Sequence, residues 1–191
     1  MLQETDRTLI RQHLAGDREA FDQLVLKYYR PIYQFLYRML VVHERAEDLA
    51  QETFLRAYRA AGSYNPRYRF STWLYTIAKN LARNEMQRRR RESRMSFRGE
   101  LEELVDAGQS GSQPGPVEIA SLNEEGKRVR QAMEGLGDNL KMALILGHYQ
   151  GLSYKEISEI LRRPRGTIKS WVFRAKRELI KRLRDMESRG L

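Results

Sequence analysis

Apolar positions recur every three to four residues almost throughout the chain, and no stretch alternates with the period of a strand. The pattern predicts an all-α protein. A short helix is expected over Asp6–Leu14 and is broken at Gly16. Asp17 can then cap a longer helix over roughly Arg18–Leu40, in which Pro31 should end a turn or kink the backbone locally. A third helix, Glu44–Ala61, stops at Gly62. The following Gly62–Phe70, GSYNPRYRF, loses the period and reads as a loop. Ser71 or Thr72 then caps a fourth helix that reaches Arg91.

The period lapses over Glu92–Pro116. Within it Gly108–Pro116, GQSGSQPGP, cannot bury enough apolar surface to offset its ordering entropy, so residues 92–116 are expected to be a flexible linker. A second helical domain is expected over 117–191, with helices Val117–Glu134, Asn139–Gln150, Tyr154–Arg162 and Gly166–Met186. Ser153 with Glu156 three residues on forms a capping box at the start of the third. That helix, a tight turn and the last helix read as a helix-turn-helix.

Charge sharpens this division. The chain has 191 residues and a formal net charge of +10. Residues 1–91 carry net +7, residues 92–121 net −4, and residues 122–191 net +7. Two basic blocks around an acidic connector favour polyanionic partners at two surfaces. There is no cysteine, which removes disulfides, thiolate metal sites and a Cys nucleophile. The polar start MLQETDRT and the lack of any long apolar run predict a cytoplasmic protein with no membrane insertion.

Three helix faces carry candidate chemistry. In the last helix Ile168, Val172, Ala175, Leu179 and Leu183 should face a core. The opposite face presents Lys169, Ser170, Phe173, Arg174 and Arg177, cations around an aromatic that suits a thymine methyl between guanine edges and phosphates. Arg162, Arg163 and Arg165 in the turn suit backbone phosphates, with Thr167 beside them. In the fourth helix Leu74, Ile77, Ala78 and Leu81 make the buried stripe, while Trp73, Thr76, Asn80, Arg83, Asn84 and Gln87 form another face. An aromatic plate among amides suits unpaired bases, and the preceding loop adds Tyr64, Arg67, Tyr68, Arg69 and Phe70. Arg88–Arg91 would grip phosphates, although a core tryptophan and a solvated arginine run would read the same way. The third helix buries Ala46, Leu49, Ala50, Thr53 and Ala57 and presents Asp48, Gln51, Glu52 and Leu55. Carboxylates there would repel DNA; a basic protein surface fits them, and so do ordinary solvated helix charges.

These segments, AFDQLVLKYYRPIYQFLYRML, AEDLAQETFLRAYRA, FSTWLYTIAKNLARN and GLSYKEISEIL…PRGTIKSWVFRAKREL, closely resemble the extracytoplasmic-function class of bacterial RNA polymerase sigma factors. The resemblance covers Ala20–Arg91 and Leu136–Leu183 in the family's order. It implies sigma region 2 over 1–91 and sigma region 4 over 117–191. It implies that Asp48, Gln51, Glu52 and Leu55 hold the β′ clamp coiled coil of core polymerase. Tyr64, Arg67, Tyr68, Arg69, Phe70, Trp73, Asn80, Arg83 and Asn84 would melt and read the −10 element, with Asn80 and Asn84 nearest the bases. Arg163, Arg165, Thr167, Lys169, Ser170, Phe173, Arg174 and Arg177 would read the −35 element as duplex. The linker would thread along the polymerase, which also contributes its β subunit, near the RNA exit path. An anti-sigma protein is a further implied partner; cofactors are not.

Four positions depart from the family pattern. Arg162 stands at a turn position usually held by Gly, where a positive φ would cost about 1 kcal/mol. Arg165 replaces a small apolar residue and adds a cation; Trp171 replaces a basic one and can either pack sideways on the domain or contact sugar-phosphate, leaving the −35 preference open. Gly137 replaces Pro, and Asp138 can cap the helix instead. The competing reading is a self-standing helix-turn-helix regulator that binds duplex DNA without polymerase; the acidic face and the aromatic loop have no task there. An enzyme is disfavoured, because His13, His43 and His148 lack metal-ligand spacing and no GxxxxGK[ST] loop exists.

Overall fold

A computed structural model describes residues 2–99 and 124–188, all of whose regular elements are helical. The elements are α1 (Leu2–Leu14), α2 (Arg18–Leu40), α3 (His43–Arg59), α4 (Phe70–Gly99), α5 (Glu124–Glu134), α6 (Asp138–Leu144), α7 (Tyr154–Leu161) and α8 (Arg165–Ser188). Gly16, at φ 104°, ends α1 as expected, and the Asp17 carboxylate accepts the Ala20 N–H at 3.3 Å to start α2. The helix runs through Pro31 without ending. It closes on Val41 at φ 61°, an outlying conformation for a β-branched residue.

The first unit is held by apolar faces of α2, α3 and α4. Leu24, Ile32, Phe35, Leu36, Phe70 and Leu74 are its largest fully buried side chains, each contributing about 1.5–3 kcal/mol by leaving water. The α3 stripe of Ala46, Leu49, Ala50, Thr53 and Ala57 is buried as its spacing predicts, with the Thr53 hydroxyl donating to the Leu49 carbonyl at 2.6 Å. In the second unit Ile145, Leu146, Ile157, Ile160 and Ile168 are fully buried.

Several boundaries differ from the sequence expectation. α4 begins at Phe70, not after a Ser71 or Thr72 cap, because the Phe70 ring is drawn into the core; the Thr72 hydroxyl is left buried with no hydrogen-bond partner. The same helix continues past Arg91 to Gly99, into the segment expected to be linker. Arg88 pairs with Glu92 one turn on, and no Gly or Pro interrupts the sequence before Gly99. Residues 100–123, with the rest of the linker and the start of the helix expected from Val117, lie outside the described residues. The helix expected over Asn139–Gln150 is two pieces. Beyond α6 the chain widens into a π turn, Ile145–Tyr149, where the Gln150 N–H reaches back to the Ile145 carbonyl at 3.1 Å. Asp138 does not cap α6; Gly137 occupies the cap position and the Asp138 carboxylate accepts Arg90 at 2.7 Å.

The two units pack directly on one another, α4 against α7 and α2 against the π turn.

Candidate polymerase and nucleic-acid interfaces

α3 presents its acidic side to solvent. Asp48, Gln51 and Leu55 are exposed, and Glu52 is half-buried beside them. Asp48 pairs with Arg45 at 3.0 Å and Glu52 with Arg56 at 2.7 Å, so each carboxylate is held in place by a neighbour on the same helix. Leu55 is 51% exposed, an apolar residue with two carboxylates around it and no core to enter.

The aromatic loop before α4 is a built structure. The Tyr64 hydroxyl donates to the Tyr68 carbonyl at 2.8 Å, closing the loop on itself, and the Asn65 side chain accepts the Arg67 N–H at 3.0 Å. Tyr64, Phe70 and Trp73 pack ring against ring with centroids 5.5–5.8 Å apart. Phe70, expected among the DNA-contacting side chains, is only 1% exposed, so it anchors the loop in the core and presents no face to a base. Tyr64 and Trp73 are half-buried, whereas Arg67 and Tyr68 stand outside. One turn and more along α4, Asn80, Arg83 and Asn84 are exposed on the same helix. The arginine run is not a free phosphate grip: Arg88 and Arg89 turn inward to Glu85, and Arg90 reaches Asp138.

In the second unit the capping box is complete. The Ser153 N–H donates to Glu156 at 2.9 Å and the Glu156 N–H donates to the Ser153 hydroxyl at 3.3 Å. Arg162 takes the left-handed conformation at φ 52° and ends α7, as its turn position requires. α8 buries Ile168, Val172 and Ala175. It exposes Lys169, Ser170, Arg174 and Arg177, and Phe173 is 66% exposed. Arg163 and Arg165 are exposed at its N-terminal end and Thr167 is half-buried. A tight turn thus presents a second helix whose outer face is cationic with one aromatic, the geometry by which a helix-turn-helix enters a major groove.

Comparison with known proteins places both units. Residues 24–92 match the family model for Sigma-70 region 2, and residues 126–179 match that for Sigma-70, region 4. The chain is 36% identical over 188 residues to the RNA polymerase sigma-H factor of Pseudomonas aeruginosa, covering 97% of each. The chain belongs to the sigma-70 family, in its extracytoplasmic-function class. It is also 35% identical over 176 residues to the ECF RNA polymerase sigma-E factor of Escherichia coli K12, covering 91% of this chain and 92% of that one. Among solved structures it is similar to the sigma factor RpoE in complex with the anti-sigma factor NepR from Bartonella quintana. That match has a TM-score of 0.69 and 28% identity, and covers 86% of this chain and 96% of RpoE. CnrH in complex with the cytosolic domain of CnrY shares the fold, with a TM-score of 0.71 at 23% identity over 95% and 98% of the two chains. As a sigma factor the chain directs core RNA polymerase to specific promoters and assists their melting. The self-standing regulator is not favoured, since a whole region 2 precedes the helix-turn-helix.

Two features of this sigma factor escaped the sequence reading, and one open alternative is decided. Glu85 is 5% exposed and accepts guanidinium N–H groups from Arg45 (2.9 and 3.2 Å), Arg88 (2.8 and 3.0 Å) and Arg89 (3.1 Å). Those arginines, Arg88 foremost, hold its carboxyl well below the usual carboxylate range against the opposing effect of burial. Arg89 also donates to the Leu40 carbonyl at 3.2 Å, so one carboxylate ties α2, α3 and α4 together. The Arg88 and Arg89 spacing was legible as i+3 and i+4 pairs; Arg45, forty residues away, was not. Glu156 does more than cap: it also accepts Arg69 of the first unit at 2.9 Å. Burial raises its pKa, but bonds from Ser153 and then Arg69 outweigh this and leave it lowered. Trp171, for which the sequence left packing or a sugar-phosphate contact open, is half-buried and packs against the core.

Proposed function

We propose that the faces divide the work of initiation as follows. Asp48, Gln51, Glu52 and Leu55 dock on the β′ clamp coiled coil of core polymerase. The loop residues Tyr64, Arg67, Tyr68 and Arg69, with Trp73, Asn80, Arg83 and Asn84, capture the opened −10 strand. Arg163, Arg165, Thr167, Lys169, Ser170, Phe173, Arg174 and Arg177 read −35 duplex DNA. Domain 1–91 carries the first two tasks, domain 117–191 the third, and segment 92–116 spans the polymerase surface between them, in contact with the β subunit. The observation that carries this reading is the separation of charge: an exposed Asp–Gln–Glu–Leu face on α3 within a chain of net charge +10. A carboxylate face repels DNA and complements a basic protein surface. Melting rests on capture: unstacking a base costs a few kcal/mol, and stacking on an aromatic side chain offsets it.

The protein has no chemistry of its own and uses no cofactor. Its proposed site of action is the cytoplasm, where core polymerase works; no helix among the described residues is long and apolar enough to cross a membrane. An anti-sigma protein is a further partner, by analogy with RpoE bound to NepR.

The test of the docking face is Asp48→Arg. Asp48 is exposed, so helix content and thermal midpoint should stay as in the wild type, while affinity for core polymerase falls about tenfold or more, the effect of placing like charge at a charge-matched interface. Undiminished polymerase binding by this variant would overturn the assignment of the acidic face.

A further inference from the structure

The seam between the two units holds a cleft whose positive charge is largely unbalanced. Two lysines cross the seam in opposite directions. Lys79 of α4 donates to the Ile160 carbonyl in the last turn of α7 at 2.9 Å, and Lys141 of α6, 6% exposed, donates to the Met39 carbonyl in the last turn of α2 at 3.1 Å. Each meets a helix C-terminus, where carbonyls lack intrahelical partners and the helix dipole is negative. Beside Lys79 lies a cavity of about 460 Å³, within the roughly 300–1,000 Å³ of small-molecule sites. Lys79, Arg83 and Arg90 of α4 line one side, and Arg163 and Arg174 of the second unit line the other. Asp138 is the one carboxylate on this lining among the described residues, and Arg90 already takes it at 2.7 Å. The guanidinium groups of Arg83, Arg163 and Arg174 have no ion-pair or hydrogen-bond partner among the described residues. The cations act on one another: burial first, and then Arg162 and Arg83, lowers the pKa of Lys79. Like charges gathered in a partly desolvated cleft are unfavourable until an anion enters it.

The rest of the lining selects the anion. Met86, Met142, Leu161 and the half-buried Trp171 give the cleft an apolar side. Inorganic phosphate gains nothing from such a surface. A nucleobase does, by stacking on the indole. Gln87 and Asn139, exposed at the same cleft, offer amide donors and acceptors to a base edge. Arginine forks bind phosphate oxygens in pairs, and cations on both sides suit a chain of phosphates better than a single one. A DNA duplex takes protein elements into its grooves and does not itself enter a cleft of this volume. The described residues include no group of three or more His, Asp or Glu side chains that could hold a metal ion, so the phosphate charge is met by arginine.

We propose that this cleft binds a nucleoside di- or triphosphate, with the base on Trp171 and the phosphates on Arg83, Arg163 and Arg174. The site does not rest on the DNA reading of those arginines given above; one consequence does, that nucleotide and −35 duplex compete for Arg163 and Arg174. Trp73→Phe leaves Trp171 as the only tryptophan of the full chain. Titrated into that variant in EDTA at constant ionic strength, ATP or GTP should quench Trp171 to saturation. Inorganic triphosphate, which lacks the base, should bind about tenfold more weakly by calorimetry and leave the indole emission unchanged. Arg83→Ala with Arg174→Ala should weaken nucleotide binding about tenfold or more. Both arginines are exposed, so the fold should hold, and circular dichroism checks it. Should the pair lose helix, Asn139→Asp, which sets a second carboxylate at the cleft, is read instead, with a loss of about threefold. No saturable quenching, or equal binding by these variants, refutes the site. Inorganic triphosphate that binds as tightly as ATP refutes the nucleoside assignment. A single-stranded oligonucleotide without a terminal phosphate that quenches Trp171 as ATP does, at equal phosphate concentration, would assign the cleft to DNA and overturn the proposal. Saturating ATP should also weaken binding of a −35 duplex about tenfold. Nucleotide that binds without this effect refutes the competition; if Arg174→Ala leaves duplex binding intact as well, it is the −35 reading that fails, and the site stands.

Discussion

Replacing Glu85 by Gln removes the negative charge that three guanidinium groups share while keeping the side chain's shape. The structure sets the magnitude. Breaking a fully buried ion pair by deleting one partner costs about 3–5 kcal/mol, and an exposed pair about 0–1 kcal/mol. The Glu85 side chain is 4% exposed, but its partners Arg45, Arg88 and Arg89 are 36%, 50% and 34% exposed, so solvent screens part of the attraction. A loss of about 2–3 kcal/mol from region 2 is expected. In a unit of this size that lowers the thermal midpoint by about 8–24 °C. The two tryptophans make the assay local, since Trp73 lies in region 2 and Trp171 in region 4. In a Trp171→Phe background, urea unfolding followed by Trp73 fluorescence reads region 2 alone. The pH dependence carries the sign. The carboxyl titrates lower in the folded protein than in the unfolded chain, so its contribution is complete above the ordinary carboxylate range and is lost as pH falls through its depressed folded value. The gap between wild type and Glu85→Gln should therefore be constant from neutral pH down to about pH 5 and close under more acid conditions. A gap below about 0.5 kcal/mol at neutral pH, or one that persists unchanged in acid, would refute the assignment of Glu85 as the charge hub of region 2.

Other substitutions probe single features. Arg162→Gly relieves the left-handed strain at φ 52° and should stabilise region 4 by about 0.5–1 kcal/mol, read by Trp171 fluorescence in a Trp73→Phe background; no gain, or a loss, would mean the turn is unstrained. Phe70→Ala should cost region 2 about 3–5 kcal/mol, while Tyr68→Ala, exposed in the same loop, should leave stability within about 0.5 kcal/mol; equal costs would contradict the division between anchor and surface. Lys169→Ala with Arg174→Ala should impair initiation where a −35 element is present and have little effect where that element is scrambled; equal loss on both templates would remove α8 from −35 reading.

Much of this molecule was legible because helices obey local rules. The buried stripe of α3, the Asp17 cap and the Ser153–Glu156 box all follow from spacing within a few turns and stand where the sequence placed them; of the α8 stripe Ile168, Val172 and Ala175 are buried, while Leu179 and Leu183 are only half-buried. The main failures each involve at least one partner remote in sequence. Phe70 looked like one more exposed aromatic in a basic loop, and only the packing of Tyr28, Tyr64 and Trp73 around it makes it core. Arg88 and Arg89 looked like phosphate contacts until Glu85, pinned from α3 by Arg45, drew them inward. The Lys79 and Lys141 bridges were invisible for the same reason, since neither lysine has its partner carbonyl within its own unit. The acidic face of α3 and the cationic face of α8 were readable because a surface is what remains once the buried stripe is known.

Transcription reconstituted from purified core polymerase, this protein and a library of double-stranded promoters tests the central claim most directly. Core alone should give no start-site-specific transcript. With the protein added, discrete start sites should appear downstream of paired −35 and −10 elements, and pre-opening the −10 region should restore initiation to the Asn80→Ala, Asn84→Ala variant. Core polymerase that gains no specific start site on any template would contradict the account.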